Sequence, residues 1–242
     1  MAQSTSRNLE GAGMSDRDDV GAIVPHDEAY SERQIAWLNE YCADRSVLDV
    51  GAGEGRVAAV VAAVASRYVA LDHDPIALEQ CAACCEGIEV VEADMHDPPL
   101  GGQQFDAVLC LGNTFCLLWD VEQAVATLRA WRTLITERGV LVIDDIPQNL
   151  WPEVADGYWA SGISEDGGTQ LVWKADDAVM ALRTGDEIDP EQPTISNADR
   201  PMRLWTMGCM TLAAKLAGFQ PPENIREANV LVLRLATSAR PD

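Results

Sequence analysis

Basic residues are scarce in this chain of 242 residues, which has 17 Lys and Arg against 39 Asp and Glu. The resulting net charge of −22 at pH 7 repels a phosphate backbone and an anionic membrane surface. We therefore expect no nucleic-acid partner and no membrane partner. The same field suits a cationic or neutral small molecule, although an acidic surface more often serves solubility or salt adaptation.

Long apolar runs are also missing. No stretch approaches the roughly 20 residues that span a bilayer, and no apolar segment follows a basic region near the N-terminus. These absences predict a cytoplasmic protein. Because 48% of its residues are apolar, the chain can bury one sizeable core, which favours one α/β domain with an inserted segment.

Motifs for metal binding and for nucleotide hydrolysis are lacking as well. Cys81, Cys84 and Cys85 lie on one predicted helix, but no matching pair of Cys or His occurs elsewhere. We therefore predict no metal site and interpret the seven cysteines as reduced thiols. No Gly-Lys-Ser/Thr follows the glycine-rich segment of the chain, which excludes a P-loop.

The sequence does contain a regular alternation of apolar strands and helices, after a first helix that begins at Ser31. Strands are predicted at 46–50, 68–71, 88–91, 105–111 and 139–143, and helices at 56–66, 75–85 and 121–135. A helix at 207–216 and strands at 224–226 and 229–236 follow. This order predicts an α/β fold with a doubly wound, mostly parallel seven-stranded sheet, helices on both faces and an antiparallel last strand.

Two segments depart from this alternation. Residues 1–25 are polar and have no periodicity, which predicts a flexible tail before a single domain at 26–242. Residues 148–203 carry Trp151, Trp159 and Trp173 around a Glu-Asp-Gly-Gly turn signal. They predict a small antiparallel lid that is inserted after the fifth strand and contributes to substrate binding.

The strongest signal is the run Asp-x-Gly-x-Gly-x-Gly at 49–55, directly after the first strand. Ligands of open α/β sheets collect at the carboxyl ends of the strands, and glycines there let a ligand lie against the backbone. Asp72 ends the second strand, where its carboxylate can bind both ribose hydroxyls of an adenosine. A dinucleotide fingerprint instead needs a glycine at position 56, where this chain has Arg56. The carboxylate of Glu54 would also lie near the negatively charged pyrophosphate, so both residues disfavour NAD.

The stretches Val-Leu-Asp-Val-Gly-Ala-Gly-Glu-Gly at 47–55 and Val-Ala-Leu-Asp-His-Asp-Pro at 69–75 resemble the first two motifs of class I S-adenosylmethionine (SAM)-dependent methyltransferases. The likeness covers residues 46–146 and returns at the last strand. It implies a Rossmann-like fold, SAM as the cofactor and a set of cofactor-binding residues. These are Asp49, Gly51, Ala52 and Gly53 for the methionine part, Asp72 for the ribose, His73, Asp94 and Met95 for the adenine, and Leu111 and Gly112 at the sulfonium end.

The same resemblance places the methyl acceptor after the fourth strand, near Asn113 and Thr114, with Trp151 of the lid as a further substrate-binding candidate. The stretch 112–115 is similar to a variant in small-molecule N-methyltransferases of the glycine-methylating type. Asn113 lacks the Pro-Pro-Tyr that follows it in nucleic-acid amino-methyltransferases. The resemblance therefore implies a small-molecule acceptor, with an amine nitrogen favoured over an oxygen.

No single residue is identified as catalytic, because methyl transfer from a sulfonium mainly requires alignment, exclusion of water and a deprotonated nucleophile. Asp144 and Asp145 end the fifth strand and His96 lies in the loop after the third, so all three are candidates for a general base. Each also has a local interpretation, as an acidic loop start or a residue that caps backbone. An O-methyltransferase, a NAD-dependent oxidoreductase and a non-catalytic protein that binds SAM or S-adenosylhomocysteine remain alternatives.

Overall fold

The computed structural model describes residues 28–144, 161–164, 166–174 and 176–236. Its elements follow the predicted order of strands and helices. They are α1 (Glu28–Tyr41), β1 (Ser46–Val50), α2 (Ala58–Val64), β2 (Arg67–Asp72), α3 (Pro75–Cys84), β3 (Glu89–Glu92), β4 (Phe105–Cys110), α4 (Val121–Thr133), β5 (Ile135–Asp144), β6 (Thr169–Trp173), β7 (Val179–Thr184), β8 (Met202–Arg203), α5 (Met207–Ala217), β9 (Glu223–Ile225) and β10 (Val230–Arg234).

Seven of these strands form one sheet in the order β3-β2-β1-β4-β5-β10-β9. The strands β1 to β5 pair in parallel, whereas β10 lies antiparallel between β5 and β9. This arrangement confirms the predicted doubly wound, mostly parallel sheet with an antiparallel last strand. Its strand order reverses at β1, so the exits of β1 and β4 flank the crevice where such sheets bind ligands.

Both faces of the sheet are buried, as the unbroken apolar runs of its central strands require. Successive side chains of β4 point to opposite faces, so Val108 and Cys110 join one core cluster while Ala107 and Leu109 join the other. The first cluster includes residues of α4 and α5, and the second includes residues of α1, α2 and α3. The prediction of helices on both faces is therefore confirmed.

The strand β5 begins four residues earlier than predicted. Ile135 pairs with Phe105 and Val140 pairs with Ala107, so the register shifts between these two pairs. The extra residues include Glu137 and Arg138, which are exposed. Their polarity conceals the first half of the strand in the sequence. The predicted helix also runs two residues past Thr133, where α4 ends, because Leu134 and Ile135 are apolar.

A second, three-stranded antiparallel sheet follows β5, in the order β6-β7-β8. It holds a buried ion pair between Arg183 and Asp199, with a nitrogen-to-oxygen distance of 2.6 Å. The guanidinium of Arg203 donates a hydrogen bond to the carbonyl of Trp119, which attaches this sheet to the loop after β4. The sheet matches the predicted antiparallel insertion, whereas its role as a lid and the domain limits 26–242 stay predictions.

Several predicted features lie outside the described residues. These are the tail at 1–25, Asp145, Trp151 and Trp159. Among the helices that the structure describes, none has the length and apolar character needed to cross a bilayer.

Candidate functional site

A cleft of about 640 Å³ opens at the carboxyl ends of β1, β2, β3 and β4. Its walls come from the glycine-rich loop after β1, the turn between β2 and α3, and the loops after β3 and β4. These walls contain every residue that the sequence predicts to bind the cofactor. They are Asp49, Gly51, Ala52, Gly53, Asp72, His73, Asp94, Met95, Leu111 and Gly112.

Two glycines leave open space against the backbone of this cleft. Gly53 and Gly112 have positive φ values of 53° and 72°, a backbone conformation that residues other than glycine rarely adopt. A β-carbon at either position would meet no atom within 4 Å. The backbone on both sides of the cleft is thus bare enough for direct contact with a ligand, as the predicted SAM site requires.

Gly51 has a different requirement. Its φ is 72°, and a β-carbon there would collide with the side chain of Thr114. The hydroxyl of Thr114 donates a hydrogen bond of 2.8 Å to the carbonyl of Leu111, which holds this side chain against the glycine-rich loop. The absence of a side chain at Gly51 therefore lets the exits of β1 and β4 approach each other.

The carboxylate of Asp72 is fixed at the centre of the cleft. One of its oxygens accepts the N–H of Gly53 at 2.8 Å, and the other accepts the N–H of Asp74 at 3.1 Å. The Nδ1 atom of His73 lies 3.2 Å from the second oxygen. Because each carboxylate oxygen can accept two hydrogen bonds, Asp72 keeps one free acceptor position, and a ligand hydroxyl that displaces His73 would use a second.

The start of α3 explains this position. Asp74 is the N-cap of α3, and its side chain accepts the N–H groups of Ile76 and Ala77. Pro75 occupies the first turn, where its fixed φ suits a helix and its missing N–H costs nothing. The sequence Asp-His-Asp-Pro at 72–75 therefore ends β2, begins α3 and places Asp72 toward the glycine-rich loop.

The loop after β3 forms the opposite wall. The side chain of Asp94 accepts the N–H of His96 at 2.8 Å, which closes a tight turn. The buried indole N–H of Trp131 donates to the carbonyl of Met95 at 2.8 Å. These two hydrogen bonds hold Asp94 and Met95 at the place predicted to bind an adenine.

The ring of His96 is tied to α4. Its Nδ1 atom lies 2.8 Å from the hydroxyl oxygen of Thr127, and that hydroxyl donates to the carbonyl of Gln123 at 2.9 Å. Because the threonine proton is used, Nδ1 of His96 is the donor in this contact. His96 lines the cleft, but these bonds agree with its interpretation as a loop anchor, and a role as the base stays a prediction.

Asp49 is buried beneath the glycine-rich loop and accepts the hydroxyl of Tyr68 at 2.6 Å. Burial raises the pKa of Asp49 from its ordinary 3.8 to about 6, and the hydrogen bond from Tyr68 opposes this increase. A positively charged ligand group near this carboxyl would favour its ionised form. Asp49 therefore suits the amino group of a ligand, as its predicted role near the methionine part requires.

The residues predicted on the acceptor side are placed differently from one another. Thr114 lines the cleft, whereas Asn113 and Asp144 are buried and are not among the described residues that line it. The two oxygens of Asp144 accept the side-chain N–H of Gln34 at 2.6 Å and the backbone N–H of Asn113 at 2.9 Å. The Nδ2 group of Asn113 has no hydrogen-bond partner.

A catalytic role for Asp144 stays a prediction, as do the roles of Asp145 and Trp151 outside the described residues.

Arg56 is a cleft residue that the sequence interpretation did not assign to ligand binding. It is the one Lys or Arg among the described residues that line the cleft, which also include five carboxylates. A guanidinium in this position is suited to the carboxylate of an amino-acid ligand. The signal in the sequence is its place directly after Gly55, at the end of the glycine-rich loop.

The part of the chain that the structure describes contains no cluster of three His, Cys, Asp or Glu placed to hold a metal ion. Cys81 is fully buried beside Gly55. The thiol of Cys84 donates a weak hydrogen bond to the carbonyl oxygen of Glu54, with a sulfur-to-oxygen distance of 3.5 Å. The cysteines of α3 thus pack behind the glycine-rich loop.

Comparison with known sequences identifies the segment that contains this cleft. A family described as a methyltransferase domain matches residues 47–139. Two curated Mycobacterium tuberculosis proteins, each named a probable SAM-dependent methyltransferase, are 34% identical over 79 residues. The matched segment is 33% of this chain and 28% of each relative, so the chain matches little more than a quarter of their length.

Solved structures share the fold over much more of the chain. The sugar N-methyltransferase KedS8 from Streptoalloteichus is 20% identical with a TM-score of 0.60, over 98% of this chain and 100% of that one. The CcbJ methyltransferase from Streptomyces caelestis is 19% identical with a TM-score of 0.58, over 87% and 97% of the two chains. At these identities the comparison shows a common fold.

The sheet order, the glycine-rich loop and the family match over 47–139 lead to one assignment. The loop and Asp72 lie at the carboxyl ends of parallel strands, where open α/β sheets bind ligands, and every described residue that lines the cleft lies in the matched segment. Residues 47–139 of this chain therefore match a methyltransferase domain, and the curated proteins similar to this part of the chain are named SAM-dependent.

Proposed function

We propose that this protein transfers a methyl group from SAM to a small molecule, with an amine nitrogen as the acceptor atom. The observation that carries the proposal is the single cleft lined by all ten residues that the sequence assigns to the cofactor. When bound, SAM supplies a methyl group on a positively charged sulfur, and the neutral thioether of S-adenosylhomocysteine is the leaving group.

The chain holds the cofactor through groups that are already oriented. Asp72 would accept the two ribose hydroxyls, and the bare backbone at Gly53 and Gly112 would contact the methionine part. Asp49 would bind the amino group, and Arg56 would bind the carboxylate. Such fixed geometry lowers the barrier of an in-line displacement because the reacting atoms need no further ordering.

The acceptor enters from the side of Thr114, where the loop after β4 meets the second sheet. In the reaction a carbon–nitrogen bond forms as the carbon–sulfur bond breaks, and the resulting ammonium loses a proton to water. A neutral amine is already nucleophilic, whereas a hydroxyl group needs a base. Asp144 is buried and both of its oxygens accept hydrogen bonds from the protein, which favours an amine acceptor over an alcohol.

The charge of the cleft supports a nitrogen acceptor, and so does the nitrogen methylation attributed to proteins of similar structure. Five carboxylates and one guanidinium line the cleft, so a cationic amine is attracted to it and becomes nucleophilic once it has released its proton to water. KedS8 is a sugar N-methyltransferase, and CalS10, an amino pentose methyltransferase, is 20% identical with a TM-score of 0.56. An N1-methyltransferase from Burkholderia thailandensis is 19% identical with a TM-score of 0.55.

The proposal is tested first by calorimetric titration of the protein with SAM, S-adenosylhomocysteine and NADH. We expect the two adenosyl ligands to bind and NADH not to bind. Asp72→Ala should abolish most SAM binding, because no other described side chain takes its place between Gly53 and α3. Asp120→Ala removes the N-cap carboxylate of α4 instead and should leave binding unchanged. Unchanged affinity in Asp72→Ala would contradict this cofactor placement.

Activity is then measured as transfer of a labelled methyl group from SAM to matched pairs of small amines and alcohols. Transfer to amines supports the proposal, and transfer to the alcohols alone would identify an O-methyltransferase. Tight binding of SAM and S-adenosylhomocysteine without any transfer would favour the non-catalytic alternative.

A further inference from the structure

Gln34 is a fully buried polar residue on α1, a helix outside the segment that matches the methyltransferase family. Its Nε2 group donates to Asp144 at 2.6 Å, and its Oε1 atom accepts from the guanidinium of Arg56 at 2.5 Å. A carboxylate only accepts hydrogen bonds and a guanidinium only donates them, so these partners fix the orientation of the amide. Gln34 therefore connects residues 22 and 110 positions away in the sequence.

The second oxygen of Asp144 extends this connection to the cleft. It accepts the backbone N–H of Asn113, which has a φ of 66° in the left-handed region. That conformation is uncommon for residues other than glycine and persists where the surroundings hold it. Gly112 and Thr114 on either side of Asn113 line the cleft, and Thr114 packs against Gly51.

We propose that Gln34 is a positioning residue of the cofactor cleft, whose amide holds Asp144 and thereby the backbone of 112–114 against the glycine-rich loop. This inference rests on the proposed cofactor site. In it Asp144 acts as a buried hydrogen-bond acceptor for Gln34 and Asn113 and takes no part in proton transfer. Residues 34, 144 and 113 have exposed fractions of 0%, 3% and 5%, so water does not compete for these bonds.

The hydrogen bonds can be broken singly and restored together. Gln34→Glu replaces the donor with a carboxylate that faces Asp144, and Asp144→Asn places an amide NH2 against the donor of Gln34 or of Asn113. In the double variant Gln34→Glu/Asp144→Asn the amide and the carboxylate exchange places. The new amide can donate to position 34 and accept from Asn113, while Arg56 keeps an acceptor.

The first measurement is hydrogen exchange of the Asn113 amide without ligand. We expect exchange about tenfold faster in each single variant, because a charged hydrogen-bond partner is lost or displaced, and a return toward the wild-type rate in the double variant. The second measurement is the dissociation constant for SAM. It should rise about tenfold in each single variant and recover to near the wild-type value in the double variant.

A matched control separates positioning from general stability. Asp106→Asn alters a carboxylate that also accepts a backbone N–H, that of Ser46, at the opposite end of β1 and β4. It should lower the melting temperature without changing the affinity for SAM. If it weakens SAM binding as much as the single variants do, or if the folded double variant does not recover, the inference is overturned.

The two proposals fail in different ways. Absence of SAM binding in the wild-type protein would contradict the proposed function, while the ligand-free exchange rates would still test the hydrogen bonds of Gln34. Wild-type SAM binding together with unchanged exchange at Asn113 in both single variants would overturn the role of Gln34 alone. A double variant that binds SAM but transfers no methyl group would also overturn it, because Asp144 would then act as the base.

Discussion

Asp49 illustrates how one buried carboxyl group can oppose folding and still suit a ligand. Its pKa is raised from 3.8 to about 6 by burial, with Tyr68 as its hydrogen-bond donor. Between these two values the folded protein holds a proton that the unfolded chain has released. Stability therefore falls as pH rises from 4 to 6 and stays lower above that range.

This linkage gives a prediction for Asp49→Asn, which keeps an acceptor for Tyr68 and removes the charge. The variant should be more stable than the wild-type protein at pH 7.5, by up to ~3 kcal/mol, and nearly equal to it at pH 4. It should also bind SAM more weakly. Urea denaturation at the two pH values checks the first part. A stability difference that is the same at both pH values would show that folding does not raise the pKa of Asp49.

The glycines of the loop differ in what a side chain would disturb. Gly51→Ala forces a collision with Thr114 as well as a strained φ, whereas Gly53→Ala meets no atom and has only the strain. We expect Gly51→Ala to lower stability by about 3 kcal/mol and Gly53→Ala by about 1 kcal/mol. Gly53→Ala should instead reduce SAM binding, because its methyl group enters the cleft. Thermal denaturation and calorimetry on both variants measure the two effects, and equal losses of stability would contradict this distinction.

At the scale of elements, the sequence predicts best where apolar runs and turn residues coincide. The strands β1, β2 and β4 are buried on both faces, so their composition identifies them, and Asp-Pro at 74–75 identifies the start of α3. The first half of β5 is missed because a register shift accommodates exposed polar residues there. The candidate cofactor-binding residues follow from the resemblance of segments 47–55 and 69–75 to methyltransferase motifs, and all of them lie within one continuous part of the sequence.

Contacts between distant segments could not be predicted in the same way. Gln34 has no motif, and only the folded chain brings it to Asp144 and Arg56. The pairing of Arg183 with Asp199 could not be predicted either, since no motif in the segment 148–203 marks these two residues as partners.

The ion pair between Arg183 and Asp199 gives a prediction for the inserted sheet. The side chains of Arg183 and Asp199 are 5% and 6% exposed, and removal of one leaves a buried charge without its partner. Asp199→Asn should destabilise the sheet by about 3 kcal/mol and expose residues 169–203 to limited proteolysis before the main sheet. Glu89→Gln is the control, because Arg67 and Glu89 are 36% and 53% exposed and their pair contributes less than about 1 kcal/mol. Resistance of Asp199→Asn to cleavage at these residues would contradict the prediction.

At the scale of the whole molecule, the net charge of −22 acts on both folding and ligand choice. Self-repulsion among the carboxylates favours expansion, so added salt should stabilise the fold by screening. The same field should discriminate between two ligands of almost equal shape. SAM carries a sulfonium charge that S-adenosylhomocysteine lacks, and five carboxylates line the cleft against one guanidinium.

We therefore predict that the affinity for SAM falls as the NaCl concentration rises from 50 to 500 mM, while the affinity for S-adenosylhomocysteine changes little. The ratio of their two dissociation constants, measured by calorimetry at each salt concentration, isolates the sulfonium contribution because shared contacts cancel. Parallel salt dependences would show that the cleft carboxylates are neutralised by local partners, and that hydrogen bonds and shape alone distinguish the cofactor from its product. A cationic amine acceptor should follow the salt dependence of SAM, because it is attracted by the same carboxylates.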